Sequence, residues 1–252
     1  MYAPLRRYGL LLFLLICLMP LTAQITSGTI NYNESFTFEF GDWMPADRKK
    51  EMEKRMAEGE FDRTGQLTFT TDAFSYQQLP PKQGANQGRG GWWMRNAENP
   101  DIFFTSIADS TVTDRRRVAD RAFILEEKWD APALNIDIRK IGMKEIPLPN
   151  QLATAVSAEG DTLTAYFTES IPLGIGPRGY GGLPGAIVYL KVQREGRTTE
   201  YKMITMQPNV ADLEMKKPDD AEVVTREEFD KQQKRAQEMR ERRMRSWRRS
   251  RG

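Results

Sequence analysis

Gly176-Pro177-Arg178-Gly179-Tyr180-Gly181-Gly182-Leu183-Pro184-Gly185-Ala186-Ile187-Val188-Tyr189-Leu190 sets five glycines and two prolines within a dozen residues, then passes without a break into a β-branched and aromatic run. Glycine opens backbone angles closed to other residues, and proline fixes φ and removes an N–H. The stretch therefore reads as a shaped loop that feeds a strand. Downstream, Ile187 to Gln193 and Thr198 to Thr205 form a hairpin across Glu195-Gly196-Arg197. Upstream, Ala153 to Ser157 and Thr162 to Thr168 pair across Glu159-Gly160-Asp161.

The same strand grammar fills the earlier chain. Ile30, Tyr32, Phe36, Phe38 and Phe40 alternate with other residues, which is strand periodicity. Pro45 opens a helical stretch, Ala46 to Glu58, that puts Met52 and Met56 on one face and stops at Gly59. Leu67 to Thr70 and Ala73 to Tyr76 flank a turn at Thr71-Asp72. Gln77 to Gly91 has loop composition, and Trp92-Trp93-Met94 re-enters a strand. Ile102 to Phe104, Ser110 to Thr113, Ala122 to Leu125 and Ile136 to Ile141 follow at short spacing. Such a series predicts an antiparallel meander rather than βαβ units.

Arg6 and Arg7, the apolar run Leu10 to Leu18, and Pro20 to Ala23 have the layout of a secretory signal peptide cleaved near Ala23. The run is far short of the roughly 20 residues of a membrane helix. Lipidation at Cys17 is disfavoured by the bulk of Ile16 just before it. Cys17 is the only cysteine and the chain has no histidine. Beyond the leader, disulfides and Ser-His-Asp or Cys-His nucleophiles are excluded, and an ordinary zinc site is not expected. No cofactor is expected. Arg226 to Gly252 holds eleven Lys or Arg against five Asp or Glu. With the whole chain at +2 and two arginines in the leader, the body between is acidic. Thr225-Arg226-Glu227-Glu228 has capping-box spacing, so a helix begins there.

Thr164-Ala165-Tyr166-Phe167-Thr168-Glu169-Ser170-Ile171-Pro172, then Gly176-Pro177, then Tyr180-Gly181-Gly182-Leu183-Pro184-Gly185, resembles the GLPGLI family in order and spacing. Glu126-Glu127-Lys128-Trp129 with Arg139-Lys140-Ile141-Gly142 resembles that family's tryptophan strand and Lys-Ile-Gly turn, and Ser27 to Tyr32 adds a weaker match. Ala186 stands where the family name has leucine, and Met143 to Ile146 replaces a region where many relatives carry cysteine. The resemblance implies a small exported bacterial protein. It implies no reaction, cofactor or catalytic residue.

Successive glycine N–H groups could cradle an anion, but Gly176 to Gly185 lacks both phosphate-loop spacings and feeds a strand rather than a helix. The structural reading is a wide turn that packs Leu183 and Pro184 onto the sheet. Glu126, Glu127, Asp130 and Glu169 are the carboxylates available to a hydrolase, but alternation sends Glu126 and Glu127 to opposite faces. Met52 with Met56, or Met203 with Met206, could hold Cu(I), although methionine more often fills core gaps. Trp92, Trp93, Phe103, Phe104, Trp129, Tyr166 and Phe167 could line a concave binding face. The basic tail suits an anionic membrane surface, a docked partner or plain solvation, and nucleic acid is not an expected partner.

The expected architecture is mainly β: an antiparallel meander forming a curved sheet or partly open barrel over 24–207, with one flanking helix. A signal peptide (1–23) precedes it, and a polar connector (208–224) leads to a C-terminal basic helical tail (225–252). A lipoprotein-carrier half-barrel is the nearest architecture by analogy. The expected role is an exported, periplasmic or envelope-associated, non-enzymatic binding or accessory module. Its expected partners are an outer-membrane transport or assembly protein, or an apolar or lipid ligand. The expected binding residues are Gly176, Pro177, Tyr180, Gly182, Leu183, Pro184, Gly185, Trp129 and Tyr166. The alternative is a carboxylate-dependent periplasmic hydrolase.

Overall fold

The computed structural model describes residues 25–41, 44–80, 100–129, 135–137, 142–157, 160–210, 213 and 215–249. The expected signal peptide, Trp92, Trp93, Asp130 and the Arg139 to Ile141 part of the family turn lie outside those residues. The described elements run β1 (Gly28–Phe38), α1 (Ala46–Ala57), β2 (Arg63–Phe69), β3 (Ala73–Gln78), β4 (Ile102–Ser106), β5 (Thr111–Val118), β6 (Arg121–Lys128) and β7 (Asn135–Asp137). They continue as β8 (Gln151–Val156), β9 (Thr162–Thr168), β10 (Ala186–Arg194), β11 (Arg197–Pro208), β12 (Glu222–Val223) and α2 (Arg226–Arg249).

Twelve strands form one sheet in the order β12-β6-β5-β4-β3-β2-β1-β11-β10-β9-β8-β7. Its ends, β12 and β7, are different strands that do not pair, so the sheet is open. The two meanders meet where β1 pairs with β11 along its whole length, Gly28 opposite Pro208 and Phe38 opposite Arg197. That long-range pairing joins the ends of the domain. Every neighbouring pair is antiparallel except β12 beside β6. Register irregularities at Asn31/Tyr32 and Ile187/Tyr189 are of the kind that bends a sheet.

Alternation fixes which side chains meet. Ile30 faces Leu67, Leu67 faces Tyr76, and Tyr76 faces Phe103, all on one side and all buried. Burying each such side chain contributes about 1.5–3 kcal/mol. Ile171, Ile175 and Leu183, from the segment between β9 and β10, complete the same core. On the other side, Ile146, Val188 and Tyr189 form a smaller cluster with Tyr166.

The first helix matches its expected bounds to within a residue, and none of its side chains is buried. The capping box at the head of α2 is formed: the Thr225 N–H donates to Glu228 Oε2 at 3.0 Å, and the Glu228 N–H donates to Thr225 Oγ1 at 3.2 Å. Phe229 docks the first turn against Phe123 and Leu125. The segment expected as a polar connector lies along the sheet. Lys217 pairs with Glu126 at 2.7 Å, Asp220 pairs with Arg115 at 2.9 Å, and β12 then adds to the β6 edge. No helix among the described residues is long and apolar enough to cross a membrane.

Candidate functional site

The glycine-rich segment does not take the short path from β9 to β10. It crosses the core face of the sheet, and its turn at Pro177–Gly179 lies against β2, β3 and β4. Backbone bonds pin it at three places. The Ala186 N–H donates to Ile171 O at 3.0 Å, Gly182 N–H to Gly174 O at 3.0 Å, and Ile187 N–H to Ile175 O at 2.9 Å. Trp129, just past β6, supports the turn from below. Its indole N–H donates to Gly179 O at 3.2 Å, and its ring stands edge-on to Phe74 with centroids 5.8 Å apart. A methyl at Gly181 would strike Gly174 O and sit 3.0 Å from the Trp129 ring, so this close approach requires glycine.

The turn delivers one charged side chain to the sheet. Arg178 takes φ +54° and ψ +35°, a left-handed conformation that costs a non-glycine residue on the order of 1–2 kcal/mol. Its guanidinium carbon lies 4.3 Å from the centre of the Phe103 ring, a stacking that contributes about 0.5–2 kcal/mol.

Beneath the loop is a buried polar cluster. Glu34 on β1 is fully buried. The Tyr76 hydroxyl donates to Glu34 Oε1, and Gln78 Nε2 donates to Glu34 Oε2 at 2.6 Å. Tyr76 reaches Glu34 from two strands away only because Gly65, on β2 between them, has no side chain. Tyr201, directly opposite Glu34 on β11, stands edge-on to Tyr76 with centroids 6.2 Å apart.

Burial is the main force raising the Tyr76 and Tyr201 hydroxyls above the ordinary tyrosine range, and Glu34 adds to it. Both therefore stay neutral donors at neutral pH. Burial opposes the charge on Arg178, but Tyr201, Glu34, Asp101 and Tyr76 outweigh it and hold the guanidinium above its usual range. Toward the far end of β1, Arg63 and Arg197 flank the Phe36 ring at 5.2 and 5.5 Å, and Arg197 also lies 5.4 Å from the exposed Phe38 ring.

Among the expected binding residues, Gly176, Pro177, Leu183 and Gly185 are buried in the loop, Tyr180 is half-buried, and Trp129 lies beneath it. Gly182 and Pro184 are exposed. Leu183 packs onto the sheet as expected, but Pro184 faces away from it. Tyr166 is on the other side of the sheet, edge-on to Tyr189 with centroids 5.9 Å apart.

The candidate hydrolase carboxylates do not all converge. Glu126 and Glu127 border the same open cavity at the β5–β6 edge, but each is engaged by its own cation, Lys217 and Arg226, and Glu169 lies elsewhere, accepting from Gln151 at 3.1 Å. Met203 and Met206 pack against the main core, and Met52 Sδ takes a contact from Arg55 at 3.7 Å. Sequence reading missed Glu34, Tyr76, Arg178 and Tyr201. A signal for one of them was present: Glu34 continues the inward row of Ile30 and Tyr32, where a charge is out of place.

A second buried acid lies nearby. Asp114 on β5 sits directly opposite Phe103, and its Oδ1 has no hydrogen-bond partner. Burial raises its carboxyl to about 7, against the pull of Arg116, Arg178 and Arg226 and with a push from Glu127.

Residues 116–189 match the family described as a protein of unknown function (Porph_ging). The match runs from β5 into β10 and contains the whole glycine-rich loop. No curated protein matches the chain at a significant level. A solved structure of PNGF-II is similar in shape, with a TM-score of 0.51 at 8% identity over 84% of this chain and 34% of that one. This chain thus spans about a third of the length of that structure. At that identity the likeness shows the fold alone, a mostly β architecture.

Proposed function

We propose that this is an exported, non-enzymatic protein of the cell envelope, a GLPGLI-type module that works by binding. The observation that carries the reading is the loop. Its glycine-rich segment is folded on itself and on the head of β10 by three backbone bonds, its turn is held by the Trp129 indole, and it spends a strained residue to place Arg178 over Phe103. Strain held by its surroundings is characteristic of recognition sites.

The dispersal of Glu126, Glu127 and Glu169 into separate contacts favours binding over carboxylate catalysis. The twin arginines and apolar run near the N-terminus support export. The tail supports attachment to an anionic surface, because ten Lys or Arg against three Asp or Glu follow Phe229, the residue that anchors its helix.

Native mass spectrometry on protein purified from its own host without detergent tests the reading. The expected result is an added mass that disappears on denaturation. Bare protein throughout would contradict it.

A further inference from the structure

Arg178 and Tyr201 bring their hydrogen-bond donors close together beneath the glycine-rich loop. Among the described residues, neither the guanidinium nor the hydroxyl donates a hydrogen bond, although the two groups are close enough to perturb each other's charge. Tyr201 is buried for most of its surface, whereas Arg178 is half-buried, with its guanidinium against the buried Phe103 ring. Neither group is among the polar atoms sealed from solvent without a partner, so both donors remain open to a bound group.

The surrounding charge indicates what would use these donors. Glu34 gives both oxygens to the neutral donors Tyr76 and Gln78, and Asp101 Oδ1 accepts the Arg117 N–H at 2.9 Å. Arg178 and Arg197 are both near enough to Arg63 to oppose its charge. These guanidiniums gather where Glu34 and Asp101 already accept from other groups, with Arg116 and the buried Asp114 also within reach of Arg178. A guanidinium offers a fork of N–H groups matched to a carboxylate, sulfate or phosphate, and a phenol beside it adds a further donor.

We propose that the module binds an anionic group, a carboxylate, sulfate or phosphate, between Arg178 and Tyr201, with the rest of the ligand along Phe36 and Phe38 between Arg63 and Arg197. This inference rests on the binding-module reading above and names the chemistry of its ligand. Arg178 supplies the charge and orientation. Tyr201 supplies a neutral donor. The aromatic rim suits a ring or apolar portion.

Calorimetric titration of the full protein tests this at constant ionic strength, with chloride as the balancing anion. The probes are sulfate, phosphate, acetate and phenyl phosphate. Saturable binding is expected for at least one of the three simple anions, which identifies the anionic group, and phenyl phosphate should bind more tightly than phosphate. Arg178→Gln should weaken binding about tenfold, the scale of one charge-assisted hydrogen bond. Tyr201→Phe keeps the ring and its packing on Tyr76, so it should fold normally and weaken binding about threefold or more.

Saturable binding left unchanged by both variants would place the anion elsewhere and overturn the proposal. Failure of every probe to saturate would overturn it too. If native mass spectrometry still showed a neutral adduct, the binding-module reading would survive. Bare protein in both experiments would remove both.

Discussion

Gly65→Ala tests the cluster beneath the loop at its narrowest point. In a strand interior, replacing glycine by alanine ordinarily stabilises by about 0.5–1 kcal/mol, because glycine loses more freedom on folding. Here the added methyl would overlap the Tyr76 phenol, which crosses Gly65 to reach Glu34. Tyr76 is fully buried and its ring is rigid, so relief requires the whole side chain to swing away from the carboxylate. Losing a hydrogen bond to a charged group costs about 1.5–3 kcal/mol. Overpacking adds about 1–3 kcal/mol. Set against the backbone gain, the expected result is a net loss of about 1.5–5.5 kcal/mol in urea unfolding. Tyr76→Leu alone should also destabilise. In the double variant the two losses should fall short of additive, because the clash has then gone. A Gly65→Ala protein as stable as the parent would refute the placement of Tyr76 over Gly65.

Asp114 gives a pH prediction. Its carboxyl is raised from 3.8 to about 7 in the folded protein, so the folded state holds the proton more tightly than the unfolded chain. The stability this contributes is fully present below about pH 4 and is lost as pH rises through about 7, by at most about 4 kcal/mol. Asp114→Asn should remove that slope, leaving stability near the parent's at pH 4 and above it at pH 8. Parallel slopes for the two proteins would contradict the burial of Asp114. Phe229→Ala should cost about 3 kcal/mol of docking and expose α2 to limited proteolysis before the sheet is cut, because Phe229 is the one α2 residue in the Phe123 and Leu125 cluster. Thr225→Ala should remove about 1 kcal/mol of helix stability, read as lost helical circular dichroism on mild heating.

The meander was legible because period-two alternation and turn residues are local signals. The hairpin at Glu195 to Arg197, the turn at Thr71-Asp72 and the capping box at Thr225 all needed only neighbouring residues. The pairing of β1 with β11 was not legible, since it joins residues some 170 positions apart and no local pattern records a partner. The glycine-rich segment was legible as a shaped loop, but its path across the sheet was not, and Arg178 drew no notice because its surroundings come from β1, β3, β4 and β11. Tyr166 and Phe167 had to fall on opposite faces, and only the register decides which one meets the loop.

The glycine-rich loop is a fixed part of the core that presents Arg178 to the core side of the sheet. Hydrogen–deuterium exchange resolved across residues 174–187 tests it most directly. The Gly182, Ala186 and Ile187 amides donate to carbonyls within the same segment. They should exchange as slowly as the Tyr32 and Leu67 amides of the central strands. Exchange within seconds at those three positions, while the strands remain protected, would show a loop that lies free of the sheet and would contradict the account.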